Sequence, residues 1–172
     1  MPQIAYATAW DRDDSTHAAN AKAFWTGLGL LKPAAAEERV KELCSLAYAN
    51  GQLVGVTTVV LDFHPPLNSR FAFYRCAVAP DFRRHYLATL LTRHTLTTME
   101  AWSLENPQEE VQGIAAILQA RELGSKAVHP QWADYNIHLN LVGFDPHGDQ
   151  IRVAWFRHAR LEGPGAPGFG PR

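Results

Sequence analysis

The first third of the chain changes from one hydrophobic period to another. Residues 3–10 alternate loosely between apolar and polar side chains, a pattern that predicts a first strand. Residues 17–28 repeat apolar side chains at helical spacing, and a second helical stretch begins at Pro33, a residue that suits the first turn of a helix. The pattern therefore predicts one strand followed by two helices.

After residue 42 the chain returns to strand-like patterns. Three stretches are predicted as strands: residues 43–49, 52–63 and 70–78. The Asn50-Gly51 pair between the first two is the strongest hairpin signal in the chain. Gly55 predicts a bulge or bend in the second strand. Pro65 and Pro66 cannot take part in strand pairing, so the stretch before the third strand is predicted to be a loop. These residues therefore predict an antiparallel set of three strands.

The second half of the chain predicts a helix, a strand, a helix and a strand. The first helix runs from about residue 83 to about residue 104 and is stopped by Asn106-Pro107. The continuous apolar run of residues 111–119 predicts a strand buried on both faces. Four apolar residues after Pro130 repeat at helical spacing and predict a last helix closed by Gly143: Trp132, Tyr135, Leu139 and Val142. Residues 150–161 then alternate as a last strand.

This order of elements predicts an α/β (α+β) fold, with a mixed central sheet of about six to seven strands flanked by about four helices. Residues 1–162 are predicted to form a single domain, since a chain of 172 residues can bury one hydrophobic core without the help of disulfide bonds or metal ions. Residues 163–172 are rich in Gly and Pro and predict a flexible tail.

Composition narrows the class of protein. The chain is 47% hydrophobic and 19% charged with a formal net charge of -1, a balance that argues against a nucleic-acid partner. No apolar run reaches the length of a membrane span, and the N-terminus lacks a signal-peptide pattern. Cys44 and Cys76 lie in predicted strands, which suggests buried thiols in a reducing compartment. We therefore expect a cytoplasmic protein that does not contact a membrane.

The segment between the third strand and the long helix carries the strongest chemical signal. Pro80 turns the chain, and Arg83, Arg84 and His85 crowd the first helical turn, where the helix dipole disfavours positive charge. The arrangement suits a bound anion held by free backbone N–H groups and these side chains. The alternative is a solvated basic turn capped by Asp81.

This segment resembles the acyl-CoA pyrophosphate loop of the GNAT N-acetyltransferase superfamily, Val-x-Pro-x-x-Arg-x-x-Gly-x-Gly/Ala. Val78, Pro80, Arg83 and Ala88 match that pattern in register, whereas Tyr86 stands where the family has its first glycine. A tyrosine there is still compatible with an α-helical backbone. The element order of residues 3–161 and the Gly143-Phe144 pair after the predicted last helix also resemble the family.

The resemblance implies the GNAT-like acyl-CoA N-acyltransferase fold and direct transfer of an acetyl group from acetyl-CoA to a small-molecule or protein amine. It implies backbone pairing between the pantetheine arm and one strand, and a pyrophosphate site at the start of the long helix. The residues implied to bind the cofactor are Cys76, Ala77, Val78, Arg83, Arg84, His85, Tyr86, Leu87 and Ala88. Family members often pair, and the alternation of residues 150–161 permits a homodimer.

Two tyrosines are candidate catalytic residues. Alternation places Tyr74 and Cys76 on one face of the strand before the loop, where the family often has an acid or a histidine. The family's proton donor to the leaving thiolate falls at Leu139, and Tyr135 lies one predicted turn earlier. Either tyrosine could instead serve packing alone.

The sequence also allows other interpretations of its function. Asp62 and His64 could relay a proton beside an acceptor site, or be exposed loop residues. The histidine and cysteine spacings match no metal pattern, so no metal is expected. One rival hypothesis is a catalytically degenerate protein of this fold that binds CoA or a partner without turnover. Another is an unrelated phosphate or nucleotide binder.

Overall fold

The computed structural model describes residues 3–83, 86–119 and 129–161, and within these ranges it contains eight strands and three α-helices. The strands are β1 (Ile4–Thr8), β2 (Leu43–Ala49), β3 (Gln52–His64), β4 (Ser69–Val78), β5 (Val111–Leu118), β6 (Gln131–Asp134), β7 (Ile137–Phe144) and β8 (Gln150–Trp155). The helices are α1 (Ser15–Gly27), α2 (Pro33–Arg39) and α3 (Leu87–Glu105).

All eight strands form one sheet in the order β1-β2-β3-β4-β5-β8-β7-β6. β4 and β5 pair in parallel, and every other neighbouring pair of strands is antiparallel. A parallel pair needs a long crossover, and α3 provides it. The mixed α/β sheet predicted from the sequence is therefore confirmed, with one strand more than expected.

The β2–β3 hairpin forms as predicted. Asn50 and Gly51 both have positive φ, 49° and 81°, the combination that suits the right-handed twist of a tight hairpin. The register between the strands shifts beside Gly55, which pairs with Ala47. A Cβ at Gly55 would lie 2.7 Å from Leu91 Cδ1 of α3, so the glycine also lets the helix approach the sheet closely.

The helices cover the sheet on both faces. α3 packs against β2, β3, β4 and β5, with Leu91 and Met99 fully buried. On the opposite face, Trp25 of α1 and Ala36 of α2 join a buried cluster against which Ala77 of β4 packs. Burial of these apolar faces supplies the main free energy of folding. The site described below therefore lies between two independent apolar layers.

The predicted last helix is wrong, and a β6–β7 hairpin stands in its place. Trp132 pairs with Leu139 across the hairpin, and both side chains pack on the same core cluster. Two cross-strand partners seven residues apart have the same sequence spacing as residues two turns apart on one face of a helix. This shared spacing explains why the sequence predicted a helix here. Tyr135 and Asn136 form the turn, with φ of 49° and 63°. The Gly143-Phe144 pair ends β7 rather than following a helix.

Three further predictions are corrected. α3 begins at Leu87 rather than at about residue 83. β8 ends at Trp155 rather than at residue 161, and it lies between β5 and β7. Cys76 is exposed, although Cys44 is buried as expected.

Two observations concern the extent of the chain. The predicted tail, residues 163–172, lies outside the described residues. No helix in the described ranges is both long and apolar enough to cross a membrane.

The packing of β5 against β8 gives a test of the sheet. A Cβ on Gly113 would lie 2.4 Å from the Ala154 carbonyl oxygen, and backbone atoms cannot move aside as a flexible side chain can. We expect Gly113→Ala to lower the free energy of unfolding by about 1–3 kcal/mol. Urea denaturation followed by circular dichroism measures this difference. Gly27→Ala is the control, since that Cβ would meet no atom within 4 Å and stability should not fall. Equal stability of the two variants would contradict the close β5–β8 contact.

Candidate active site

The sheet opens between β4 and β5. The two strands are paired through Arg70–Val111, Ala72–Ile114 and Phe73–Ala115, and the pairing ends there. β4 continues to Val78 and stays paired with β3 along its whole length. Within the described ranges, residues 74–78 therefore have no strand partner on the β5 side, and backbone groups on such an edge need a partner from water or a ligand. The gap between the unpaired ends of β4 and β5 is called the cleft below.

The N-terminus of α3 lies close to Val78 in the chain. A short 3-10 turn, Pro80–Phe82, leads from β4 toward the helix, which begins at Leu87. Leu90 N donates to Tyr86 O, so the amides of Leu87 and Ala88 precede the first intrahelical hydrogen bond. The Tyr86 side chain does not cap this helix, and no other residue in the described ranges does so. Free amides and the helix dipole together favour an anion here.

Arg83 connects the turn to the strand. Its Nε donates a hydrogen bond of 3.2 Å to the Val78 carbonyl oxygen, and the residue is exposed. The guanidinium is thereby held beside the last residue of β4. The sequence also assigned Arg84 and His85 to this site, and both lie outside the described residues.

Tyr86 does not have the α-helical backbone expected from the sequence. It has φ of 54° and ψ of 16°, the left-handed region that favours glycine. Its ring lies 5.4 Å from the ring of Tyr135, centroid to centroid, with the planes tilted by 52°. Tyr135 therefore reaches the start of α3 from the β6–β7 turn and not from a helix. The catalytic role suggested for Tyr135 depended on that helix.

Tyr74 and Cys76 lie on the α3 face of β4, as alternation predicted. The Tyr74 hydroxyl forms a 3.2 Å hydrogen bond with Thr92 Oγ1 of α3. Burial raises the pKa of Tyr74 well above its ordinary value, so the phenol stays protonated at neutral pH. Solvent reaches Cys76 through the cleft, yet the surrounding protein desolvates the thiolate and raises the pKa to about 12. Neither group is a base at neutral pH.

Asp62 and His64 make separate contacts. Asp62 Oδ1 accepts a 2.8 Å hydrogen bond from Phe63 N. The His64 ring packs edge-on against Phe71 and Phe73, with centroids 6.4 and 6.3 Å away. These contacts leave no Asp–His relay between the two side chains.

Sequence reasoning missed an ion cluster on the opposite face of β4. Arg75 Nη1 lies 2.9 Å and Arg39 Nε 3.3 Å from the same oxygen, Glu42 Oε2. The signal available was weak, since alternation gives the face of Arg75 but only the tertiary fold brings residues 39 and 42 beside it. Within the described part of the chain, no group of three His, Cys, Asp or Glu residues could hold a metal ion.

The fold and the cleft agree with the comparison to known families. Residues 4–118, more than half of the chain, match the family described as the acetyltransferase (GNAT) family. The chain belongs to this family, and the resemblance seen in residues 78–88 is confirmed at that level. No curated protein sequence matches the chain.

Solved structures show the same fold at low identity. An acetyltransferase of the GNAT family from Streptococcus pneumoniae is 12% identical with a TM-score of 0.52, and the match covers 89% of this chain and 97% of that one. The ribosomal-protein-S18-alanine N-acetyltransferase from Escherichia coli is 12% identical with a TM-score of 0.52, over 89% and 92% of the chains. A mutant of the toxin AtaT bound to the C-terminus of the antitoxin AtaR is 12% identical with a TM-score of 0.56, over 90% and 92%.

The Cys76 thiol gives a test of the cleft. With a pKa of about 12, its thiolate fraction at pH 8 is small, so we expect alkylation by iodoacetamide at least about a hundredfold slower than for free cysteine. The rate should rise with pH toward that pKa. Mass spectrometry measures the modified fraction, and Cys76→Ser, which leaves the buried Cys44, is the control. Alkylation at pH 8 as fast as for free cysteine would show that the surrounding protein does not raise the pKa of the Cys76 thiol.

Proposed function

We propose that this protein is an N-acetyltransferase that moves an acetyl group from acetyl-CoA to the amine of a small molecule or a protein by direct transfer. One observation carries the proposal: the unpaired segment 74–78 of β4 leads to an uncapped helix N-terminus in a chain of this family. An extended arm can pair with such a strand, and an anionic group can bind at such a helix start.

Acetyl-CoA would bind along this path. The pantetheine arm would pair with backbone groups of Cys76, Ala77 and Val78, as an added strand does. The pyrophosphate would accept hydrogen bonds from backbone amides between Arg83 and Ala88, among them those of Tyr86 and Leu87. Arg83, Arg84 and His85 would add donors and positive charge. The thioester would then lie in the cleft beside Tyr74.

The reaction needs one bond to form and one to break. The neutral amine attacks the thioester carbonyl carbon, a C–N bond forms, and the C–S bond breaks as CoA leaves as a thiolate. A backbone amide near Val78 would stabilise the oxyanion. The protonated Tyr74 would donate a hydrogen bond to the departing thiolate, which then takes a proton from water. The amine would lose its proton to water, since Tyr74 and Cys76 are not bases at neutral pH.

A second candidate function is CoA or partner binding without turnover. Two observations favour it: the left-handed backbone of Tyr86 at the predicted phosphate site, and the raised pKa of both titratable groups on the α3 face of the cleft. The measurement that separates the candidates is loss of thioester absorbance across a broad amine panel. Tight binding of acetyl-CoA without any such loss would favour the second candidate.

The phosphate end of the site is tested by charge reversal. We expect Arg83→Glu to abolish CoA binding measured by calorimetry, because a carboxylate would repel the pyrophosphate and would no longer donate to the Val78 carbonyl. Arg83→Gln, which keeps an N–H donor, should weaken binding less. Arg93→Glu is the matched control, because Arg93 is an exposed arginine within α3, beyond the first turn of that helix. Unchanged CoA affinity in Arg83→Glu would refute the phosphate site.

The role of Tyr74 is tested by removing one oxygen atom. We expect Tyr74→Phe to lower kcat by roughly tenfold or more with little change in the KM for acetyl-CoA, because the hydrogen-bond donor to the departing thiolate is lost while the ring remains. Thr92→Val is the control, since it removes the hydrogen-bond partner of the phenol and leaves the phenol itself. Steady-state kinetics with any accepted amine provides the readout. An unchanged kcat in Tyr74→Phe would leave the tyrosine a packing role.

A further inference from the structure

Arg39, Glu42 and Arg75 form an ion cluster with an unbalanced charge. Both arginines contact the same carboxylate oxygen, Glu42 Oε2, at 3.3 and 2.9 Å. Two guanidinium groups and one carboxylate leave one positive charge without a counter-charge inside the cluster. A compact site of this kind attracts an anion of single charge.

Arg75 places one end of the cluster on the unpaired segment of β4, and the cluster extends from there over β3 toward the start of β2, on the face of the sheet away from α3. Arg75 follows the last β4–β5 pair, at Phe73, by two residues, so it lies about 7 Å along the unpaired segment. Tyr74 contacts α3, and Arg75 therefore points to the other face, where Glu42 follows α2. Its side chain is 56% exposed. Across the cleft on β5, Ile117 is exposed on the same face.

Each of the two arginines uses only one of its guanidinium nitrogens in the contact with Glu42. Among the residues that the structure describes, Arg75 donates to Glu42 through Nη1, and Arg39 contacts Glu42 through Nε. The remaining guanidinium N–H groups have no partner in that part of the chain. Burial, and after it the charge of Arg75, lowers the pKa of Arg39. An anion placed between the two guanidinium groups would relieve that repulsion.

The proposed reaction decides which molecule meets this cluster. If acetyl-CoA enters along α3, the acceptor amine approaches the thioester from the opposite face of the cleft. This step rests on the proposed function. On that face the unpaired segment of β4 carries Arg75, which contacts Glu42.

We infer that Arg39 and Arg75 select acceptors that carry a carboxylate besides the amine, as an amino acid does. One carboxylate would neutralise the cluster, and its two oxygens match the fork of a guanidinium group. Arg39 and Arg75 are thus specificity-determining residues that bind the acceptor at the mouth of the cleft. They take no part in the transfer of the acetyl group.

Matched pairs of acceptors test this inference. The probes are glycine, β-alanine and 4-aminobutyrate, each compared with its own primary amide at equal concentration of the neutral amine. Loss of thioester absorbance measures each rate without a thiol reagent. We expect wild-type kcat/KM to favour at least one carboxylate over its amide by roughly ten- to a hundredfold, the range expected for a charged hydrogen bond.

Variants assign the preference to the cluster. Arg75→Gln and Arg39→Gln should each bring the carboxylate-to-amide ratio close to one, mainly through the KM of the carboxylate. Arg75→Lys keeps the charge and should retain much of the preference. Arg70→Gln is the control, because Arg70 lies at the paired end of the same strand in an ion pair with Glu109 and should keep the full preference. Equal kcat/KM within every wild-type pair, or a preference that survives both glutamine variants, would overturn the inference.

A binding measurement separates this inference from the proposed reaction. The same probes are titrated by calorimetry into the CoA-saturated protein, which needs no turnover. If no amine causes loss of thioester, the proposed reaction fails. Tighter binding of a carboxylate than of its amide, lost in Arg75→Gln, would still support the cluster as a carboxylate site. Equal binding of both members of every pair would refute it.

Discussion

The structure depends on the point at which β4 and β5 stop pairing. Up to Phe73 and Ala115 the two strands are paired, and beyond that point β4 is paired only with β3 within the described residues. Backbone groups on such an edge need partners, which water or a ligand can supply. The cleft, the helix that starts at its end and the ion cluster on its other face all follow from this separation.

Hydroxyl groups set the position of α3 above the cleft. Thr57 Oγ1 of β3 and Thr95 Oγ1 of α3 are 2.8 Å apart, and Ser45 Oγ of β2 lies 3.0 Å from His94 Nδ1. Ser45, Thr57 and Thr95 are fully buried, so an altered register of the helix would leave these groups unpaired. Apolar packing holds α3 to the sheet, and the hydroxyl network resists sliding. The free amides at the start of the helix are thereby kept near Val78.

The sequence predicted the elements whose signals are local. The Asn50-Gly51 turn and the strand-turn-helix frame around Pro80 were visible because each depends on neighbouring residues. The helix predicted after Pro130 failed because cross-strand partners seven residues apart imitate two helical turns. Tyr86 has a left-handed backbone although it is not a glycine, and Arg75 meets Glu42 only through the tertiary register. Neither fact has a counterpart in periodicity or composition.

The short parallel ladder between β4 and β5 joins two groups of strands. β1 to β4 are connected in sequence and pair in order, whereas β5, β8, β7 and β6 form a second group that meets the first through three residue pairs near Arg70 and Phe73. This short ladder closes one end of the cleft, and α3 packs against strands of both groups across it. A ligand in the open end would therefore contact both halves of the sheet.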